Sequence, residues 1–282
     1  MLDDRVEPRR FAVALLLVFA SCNGFFYYPD TRLFRERASL GPDVEDVTFA
    51  SGDGTRLHAW FLHARGERLG TIVFFHGNAH NLTRHAGSVD WLPARGFDVF
   101  LFDYRGYGES AGTPSRGGIH LDCLAALDHV RHRPDVDPDR LLVFGQSLGG
   151  AVAIAALGDG GADGVCGVAV DSTFASYVGM GNAVLGGTFL TWPFAWLLLS
   201  DAHSPIDVVD RLAPVPLLVV ASPLDSHVPI SQGRELFDAA REPKQFVELP
   251  EDGHPVATSS AAGRERLVEF FTACLPPRRP PG

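Results

Sequence analysis

Lysine is almost absent from this sequence: of its 24 basic residues, only Lys244 is a lysine. The arginines never cluster beyond short pairs, and 34 acidic residues give the chain a formal net charge of −10. A protein that binds a phosphate backbone needs a basic patch or stripe. Nucleic acid is therefore excluded as a partner.

Cysteine is scarce as well. The spacing of the four cysteines allows neither a CxxC redox pair nor a zinc knuckle; they are Cys22, Cys123, Cys166 and Cys274. We expect the last three to be small buried residues. The sequence implies no metal site and no cofactor.

Long apolar runs are confined to two stretches, and the first follows a basic N-terminus. Arg9 and Arg10 precede the run Phe11–Cys22, which has the length and order of charges of a secretory signal. Small residues precede Cys22, as in the bacterial lipobox, whose cysteine carries the lipid. Three interpretations remain open: a lipoprotein attached through Cys22, an uncleaved membrane anchor that extends to Pro29, and a cleaved secreted protein. All three export the domain, and the first two place it at the membrane surface of a bacterial cell envelope.

Short apolar runs alternate with segments of helical periodicity along most of the chain. The strand-like runs are Thr71–Phe75, Asp98–Phe102, Leu141–Phe144, Val165–Val170, Val215–Ala221 and Gln245–Leu249. Upstream of them, Val44–Phe49 and Leu57–Leu62 flank a glycine-containing turn, which predicts a hairpin. This order predicts an α/β fold, in which helices flank a mostly parallel sheet on both faces.

One segment interrupts the alternation. Residues 172–200 contain no charged residue and are rich in aromatic side chains. Two interpretations are open, a buried helical excursion and an apolar lid over a pocket. We expect a small apolar helical cap at residues 172–205, inserted into one domain that spans residues 29–275. Residues 1–28 would form the signal or anchor segment, and residues 276–282 a flexible tail.

The pattern G-x-S-x-G, which places a serine nucleophile on a sharp strand-to-helix turn, occurs twice. Ser110 follows its strand only after several residues, and a Thr-Pro-Ser sequence comes next instead of a helix. Ser147 directly follows an apolar strand and directly precedes an apolar run of small residues. Only the second copy has the strand-turn-helix context, so Ser147 is the predicted nucleophile and Ser110 a loop residue.

Three segments together resemble the α/β-hydrolase superfamily: Phe74–Asn81, Phe102–Ser110 and Gly145–Gly150. Within it, the chain is similar to the membrane-anchored abhydrolase group that includes the bud-emergence-suppressor type. The similarity runs from about Tyr28 to Cys274 and implies the α/β-hydrolase fold. One position departs from the family pattern, His80, where the family usually has glycine.

A serine hydroxyl needs an imidazole to take its proton and a carboxylate to orient that imidazole. In this fold the order along the chain is serine, acid, histidine. The resemblance assigns the base to His254 and the acid to Asp225, which follows the run that ends at Ala221. Asp171, at the end of Val165–Val170, is the alternative acid, because some α/β hydrolases place the acid one strand earlier.

The oxyanion of a tetrahedral intermediate needs backbone N–H donors. Leu148, the residue after the nucleophile, would supply one, and by resemblance Asn78 would supply the other, both through the main chain. Asp103 and Arg105 are expected to brace this loop and not to take part in the reaction.

We therefore expect an exported, membrane-associated serine hydrolase that cleaves an ester or thioester through an acyl-enzyme on Ser147. The uncharged residues 172–200 and the N-terminal segment favour an apolar acyl substrate. An aminopeptidase or amidase on the same triad is the alternative enzyme. A non-catalytic binding protein that retained the fold is the alternative from another class. The sequence leaves the oligomeric state open.

Overall fold

The computed structural model describes residues 27–184, 201–251 and 253–277 of the 282-residue chain. Residues 1–26, which are most of the predicted signal or anchor and include Cys22, lie outside these ranges, as do residues 185–200 of the predicted cap and the end of the tail. Within them, no helix has both the length and the apolar character that a membrane crossing requires.

The apolar runs form the strands of a central sheet. The described residues contain ten strands: β1 Tyr28–Pro29, β2 Val44–Ala50, β3 Arg56–Leu62, β4 Gly70–Phe75, β5 Ala79–His80, β6 Phe97–Phe102, β7 Leu141–Gln146, β8 Val165–Asp171, β9 Leu217–Ala221 and β10 Lys244–Glu248. Eight form one sheet in the order β10-β9-β8-β7-β4-β6-β3-β2, and β1 pairs separately with β5. The first six strands of this order, from β10 to β6, are parallel to one another. The β2–β3 hairpin at the other edge is antiparallel. The predicted hairpin and mostly parallel sheet are confirmed.

Helices cover both faces of the sheet. The described residues contain six: α1 Leu82–His85, α2 Arg116–Arg131, α3 Leu148–Ala156, α4 Tyr177–Val184, α5 Ile230–Ala239 and α6 Ala261–Cys274. Side chains of α2 and α3 pack against Val73 and Val143 in one buried cluster, whereas those of α1 and α6 share a second cluster with Ile72 and Leu142. Because successive side chains of a strand point to opposite faces, the sheet is buried on both sides.

The parallel strands place their carboxyl ends along one edge of the sheet, and folds of this kind bind their ligands at that edge. The residues that follow β4, β7, β8, β9 and β10 therefore gather at this edge. They include the predicted site residues Asn78, Ser147, Asp225 and His254, and β8 itself ends at Asp171.

Candidate active site

Ser147 occupies the turn between β7 and α3. Its φ of 53° and ψ of −121° lie in a region that non-glycine residues rarely adopt. This conformation turns the chain from strand to helix within one residue and presents the side chain at the carboxyl edge of the sheet. The hydroxyl makes no capping hydrogen bond to α3. Its geometry is therefore that of a nucleophile elbow.

Close backbone packing requires the two glycines that flank this serine. A Cβ on Gly149 would lie 2.0 Å from the carbonyl oxygen of Phe75 at the end of β4. A Cβ on Gly145 would lie 2.6 Å from the Cα of Gly150. Only glycine at these positions lets α3 start so close to the sheet.

Replacing Gly149 with alanine is expected to destabilise the fold by about 3 kcal/mol or more, because the clash is with backbone that no rotamer change can move. Gly117→Ala is the matched control, since a Cβ there, in the first turn of α2, meets nothing within 4 Å. That variant is expected to gain about 0.5–1 kcal/mol from helix propensity. Urea unfolding measures both, and equal midpoints for the two variants would contradict the packing described here.

Ser110, the serine of the other G-x-S-x-G copy, is part of a structural turn. Its hydroxyl donates to the carbonyl oxygen of Asp103 at 2.7 Å and accepts from the N–H of His58 at 2.9 Å. The residue is buried, and the next helix begins only at Arg116. A hydroxyl that both donates and accepts a hydrogen bond is held in place, so this copy of the pattern lies in a structural loop.

Asp225 and His254 meet where β9 and β10 end. Nδ1 of His254 lies 2.8 Å from Oδ2 of Asp225, and the Asp225 side chain is only 1% exposed. The other oxygen, Oδ1, accepts the N–H groups of His227 at 2.8 Å and Val228 at 3.0 Å. Burial alone would raise the pKa of Asp225, but these hydrogen bonds outweigh it and hold the pKa below its ordinary value. The ionised carboxylate can therefore hold the Nδ1 proton and leave Nε2 free to act as a base.

The carboxylate of Asp171, the alternative acid, binds backbone N–H groups of the loop that carries His254. It accepts the N–H of Val256 at 3.1 Å and of Ala257 at 3.0 Å, shortly after His254. Burial is the main influence on this group and raises its pKa to about 6. The structure thus pairs the imidazole of His254 with Asp225 and places Asp171 under the loop that carries it. This anchoring role was missed from the sequence, although a carboxylate at the end of a buried strand marks the position.

The same loop is linked to the turn at Ser147 through Gln146, the residue before that serine. Nε2 of Gln146 donates to Oγ1 of Thr258 at 2.9 Å and lies 3.3 Å from Oδ2 of Asp171. The N–H of Ser147 donates to the carbonyl oxygen of Asp171 at 2.9 Å. The turn at Ser147 and the loop that carries His254 are therefore joined by one buried hydrogen-bond network.

The two predicted oxyanion donors lie on either side of Ser147. Leu148 is the first residue of α3, where N–H groups have no partner within the helix and the helix dipole is positive. On the other side, a Cβ at Gly77 would lie 3.7 Å from the Cβ of Ser147, so the loop after β4 passes beside Ser147. Asn78 is the next residue of that loop.

The side chain of Asn78 also fixes its own loop. Its Oδ1 accepts the N–H of Tyr28 at 3.1 Å and the hydroxyl of Tyr107 at 3.0 Å. The loop is thereby linked to β1 and to the segment after β6. The resemblance implied only a main-chain role for Asn78, and its side-chain role could not be predicted because both partners are distant along the chain.

The rest of the loop explains two further sequence features. His80 has a φ of 71°, in the left-handed region that glycine adopts most readily, so the position is one that glycine would suit. Asp103 braces the loop as expected, since its Oδ1 accepts the N–H of Leu82 at 2.7 Å. Arg105 was expected to do the same, but its guanidinium binds Asp122 and Asp53, each at 2.8 Å, and so braces α2 and the β2–β3 turn.

Removing the hydrogen bonds that the Asn78 side chain accepts is expected to lower kcat without abolishing turnover. Tyr107→Phe deletes one hydrogen bond of about 1 kcal/mol, which corresponds to about a fivefold loss of kcat, and Asn78→Ala deletes both. Steady-state hydrolysis of a p-nitrophenyl ester measures the loss, and KM should change little. If Asn78→Ala kept full kcat, the side chain would have no part in positioning the loop.

Comparison with known proteins places the chain in a family. A family model described as serine aminopeptidase, S33, matches residues 66–205. The uncharacterized protein YfhR of Escherichia coli K12 is 38% identical over 95% of this chain and 93% of its own length. The α/β-hydrolase domain-containing protein WAV2 of Arabidopsis thaliana is 38% identical over 77% of this chain and 74% of that protein. Protein bem46 of Schizosaccharomyces pombe is 30% identical over 65% of this chain and 61% of its own. The chain belongs to the α/β-hydrolase family, as its motifs predicted.

Solved structures agree on the fold. The esterase Pf2001 of Pyrococcus furiosus superposes with a TM-score of 0.70, at 19% identity, over 88% of this chain and 97% of that one. The predicted α/β-hydrolase fold is confirmed, and a hydrolase is the class of protein that family and fold support.

Proposed function

We propose that this protein is a serine hydrolase that cleaves carboxylic ester or thioester bonds through an acyl-enzyme on Ser147. The observation that carries the proposal is the contact between Asp225 and His254. The loop that carries His254 is held against the turn at Ser147 by hydrogen bonds of Gln146 and Asp171. A serine elbow, an ionised carboxylate and an imidazole so connected are the parts that acyl transfer needs.

In the proposed reaction, Oγ of Ser147 attacks the acyl carbon while Nε2 of His254 takes its proton. Asp225 stabilises the imidazolium, and the N–H groups of Leu148 and Asn78 bind the oxyanion. The imidazolium then protonates the leaving alcohol or thiol, which departs as the acyl-enzyme forms. Water, activated by the same imidazole, attacks the acyl-enzyme, and the released acid restores Ser147.

For the acyl group we propose an apolar chain. Residues 172–200 carry no charge, and their described part, which ends with α4, contributes Phe174 and Tyr177 to a buried apolar cluster. We further propose that residues 1–28 export the domain and hold it at a membrane surface of the cell envelope, through lipid on Cys22 or as an anchor. An apolar acyl substrate would be met there.

A series of p-nitrophenyl esters from acetate to laurate tests the substrate class. Each added methylene that becomes buried is worth about 0.8 kcal/mol, so kcat/KM should rise up to about fourfold per methylene until the acyl site is filled. A maximum at acetate with a steady fall thereafter would contradict an apolar acyl site. Ser147→Ala serves as the blank for every ester.

The description of the matching family model favours a second candidate, an aminopeptidase on the same three residues. Amino-acid p-nitroanilides with a free amine separate the two candidates. Faster turnover of these amides than of any ester in the series would favour the peptidase. Loss of that turnover when the amine is acetylated would show that the free amine is recognised.

A further inference from the structure

Two histidines and a carboxylate converge where the chain returns from residues 185–200. His120 lies on α2, Asp159 in the turn that follows α3, and His203 in the loop that leads back to the main domain. Nε2 of His120 lies 3.5 Å from Oδ2 of Asp159, and Nδ1 of His203 lies 3.8 Å from the same oxygen. One donor atom from each residue fits within 4.8 Å of the other two.

These separations are long for hydrogen bonds, which join nitrogen and oxygen at about 2.7–3.2 Å. They are close to the spacing of ligands around one metal ion. Two ligand atoms bound at about 2.0–2.1 Å with a tetrahedral angle between them lie about 3.4 Å apart. Each of the two nitrogens therefore lies from the carboxylate oxygen at about the spacing of two ligands of a common ion.

Two further observations describe how the cluster is held. The buried Nδ1 of His120 has no hydrogen-bond partner within the described ranges, and Nε2, the nitrogen that faces Asp159, approaches it only to 3.5 Å. His203 has a φ of 59°, rare for a non-glycine residue, and its ring stacks on that of His120 with centroids 4.2 Å apart. A strained backbone of this kind persists only where the surrounding structure holds it, and here it places the second ring beside the carboxylate.

Asp159 supplies the one carboxylate of the cluster. Oδ1 of Asp159 lies 3.2 Å from Nη1 of Arg211, which orients the carboxylate and leaves Oδ2 toward the two rings. Outer partners of this kind commonly hold metal-binding carboxylates in position.

We propose that His120, Asp159 and His203 bind one divalent transition-metal ion of the zinc type, with water at the fourth position. Two imidazoles and one carboxylate form a ligand set that suits zinc. The sequence predicted no metal because the three ligands come from separate segments and follow no motif. Binding requires the two rings to move slightly apart, so that both nitrogens face the ion.

The ion would fix the loop that contains His203. This loop already holds the start of α4 on its other side, where Oδ1 of Asp201 accepts the N–H of Val178 at 3.1 Å and the hydroxyl of Ser204 at 2.6 Å. A metal at His203 therefore joins this loop to α2 and to the turn after α3, in a structural role.

Metal titration of the full-length chain tests the proposal. The protein is purified in detergent without a histidine tag, freed of metal with a chelator, and titrated with zinc and cobalt(II) chloride by calorimetry and visible absorption. We expect one equivalent to bind, with the intense cobalt absorption of four-coordinate geometry, and zinc to raise Tm. His203→Gln and Asp159→Asn should each weaken binding by at least about 100-fold, because even outer partners are worth 10–100-fold.

Two controls decide where the ion binds. His132→Gln changes a histidine directly after α2 whose side chain is 72% exposed, and this variant should bind zinc as the wild type does. His227→Gln removes a histidine that lies within 4.8 Å of Asp225 and His254, the other histidine pair that could hold an ion with a carboxylate. No stoichiometric binding by the wild type would overturn the proposal. It would also be overturned if affinity fell in His227→Gln but not in His203→Gln.

Discussion

Replacing Ser147 with alanine is expected to lower kcat for a p-nitrophenyl ester by about 10⁵–10⁶-fold, the loss seen when a serine hydrolase loses its nucleophile. The acyl-enzyme cannot form, and the catalysis that remains comes from the oxyanion donors and from binding. KM should change little, because the hydroxyl adds little to ground-state binding. Steady-state kinetics on folded protein, checked by urea unfolding, gives the result.

Ser110→Ala is the matched control, since Ser110 lies in the same G-x-S-x-G pattern. It should keep kcat within a few-fold of wild type and lose about 1–3 kcal/mol of stability, because the buried N–H of His58 loses its acceptor. Comparable kcat losses for the two serines would mean that the elbow geometry does not identify the nucleophile.

Replacing Asp225 with asparagine is expected to lower kcat by about 10⁴-fold with little change in KM. The amide keeps the shape of the carboxylate but can turn its NH₂ group toward Nδ1 and favour the wrong imidazole tautomer. It also cannot stabilise the imidazolium. The pH dependence of kcat/KM, measured beside kcat, reports whether the base has been affected.

Asp171→Asn is the comparison that tests this assignment. Its amide nitrogen would face a backbone N–H of Val256 or Ala257, so the variant should lose about 1–3 kcal/mol of stability. Its kcat should fall far less than that of Asp225→Asn. A larger kcat loss for Asp171→Asn would transfer the role of catalytic acid to Asp171.

The elbow at Ser147 could be predicted from the sequence because everything that defines it is local. Strand β7, the turn at Ser147 and helix α3 are contiguous, and the glycines on either side are required by packing within that unit. The α/β alternation was readable for a similar reason, since each buried parallel strand is a short apolar run. Strand β9 starts at Leu217 and not at Val215, because Pro216 has no N–H to donate to a neighbouring strand.

Which carboxylate contacts the imidazole of His254 could not be predicted from the residues alone. Asp171 ends β8 and Asp225 follows β9 at the same edge of the sheet, and the contacts of the two carboxylates depend on the path of the loop after His254. That path depends on hydrogen bonds between segments that are far apart in the sequence, such as Asp171 to Val256 and Gln146 to Thr258. The hydrogen bonds of the Asn78 side chain and the cluster at His203 could not be predicted from the sequence for the same reason.

Covalent labelling tests the central claim most directly. The full-length protein is treated with a fluorophosphonate, which reacts with an activated serine, and the modified peptide is identified by mass spectrometry. We predict one adduct, on Ser147, in the wild type and no adduct in Ser147→Ala. An adduct on another serine, or equal labelling of the two proteins, would contradict the assignment of Ser147 as the nucleophile of a serine hydrolase.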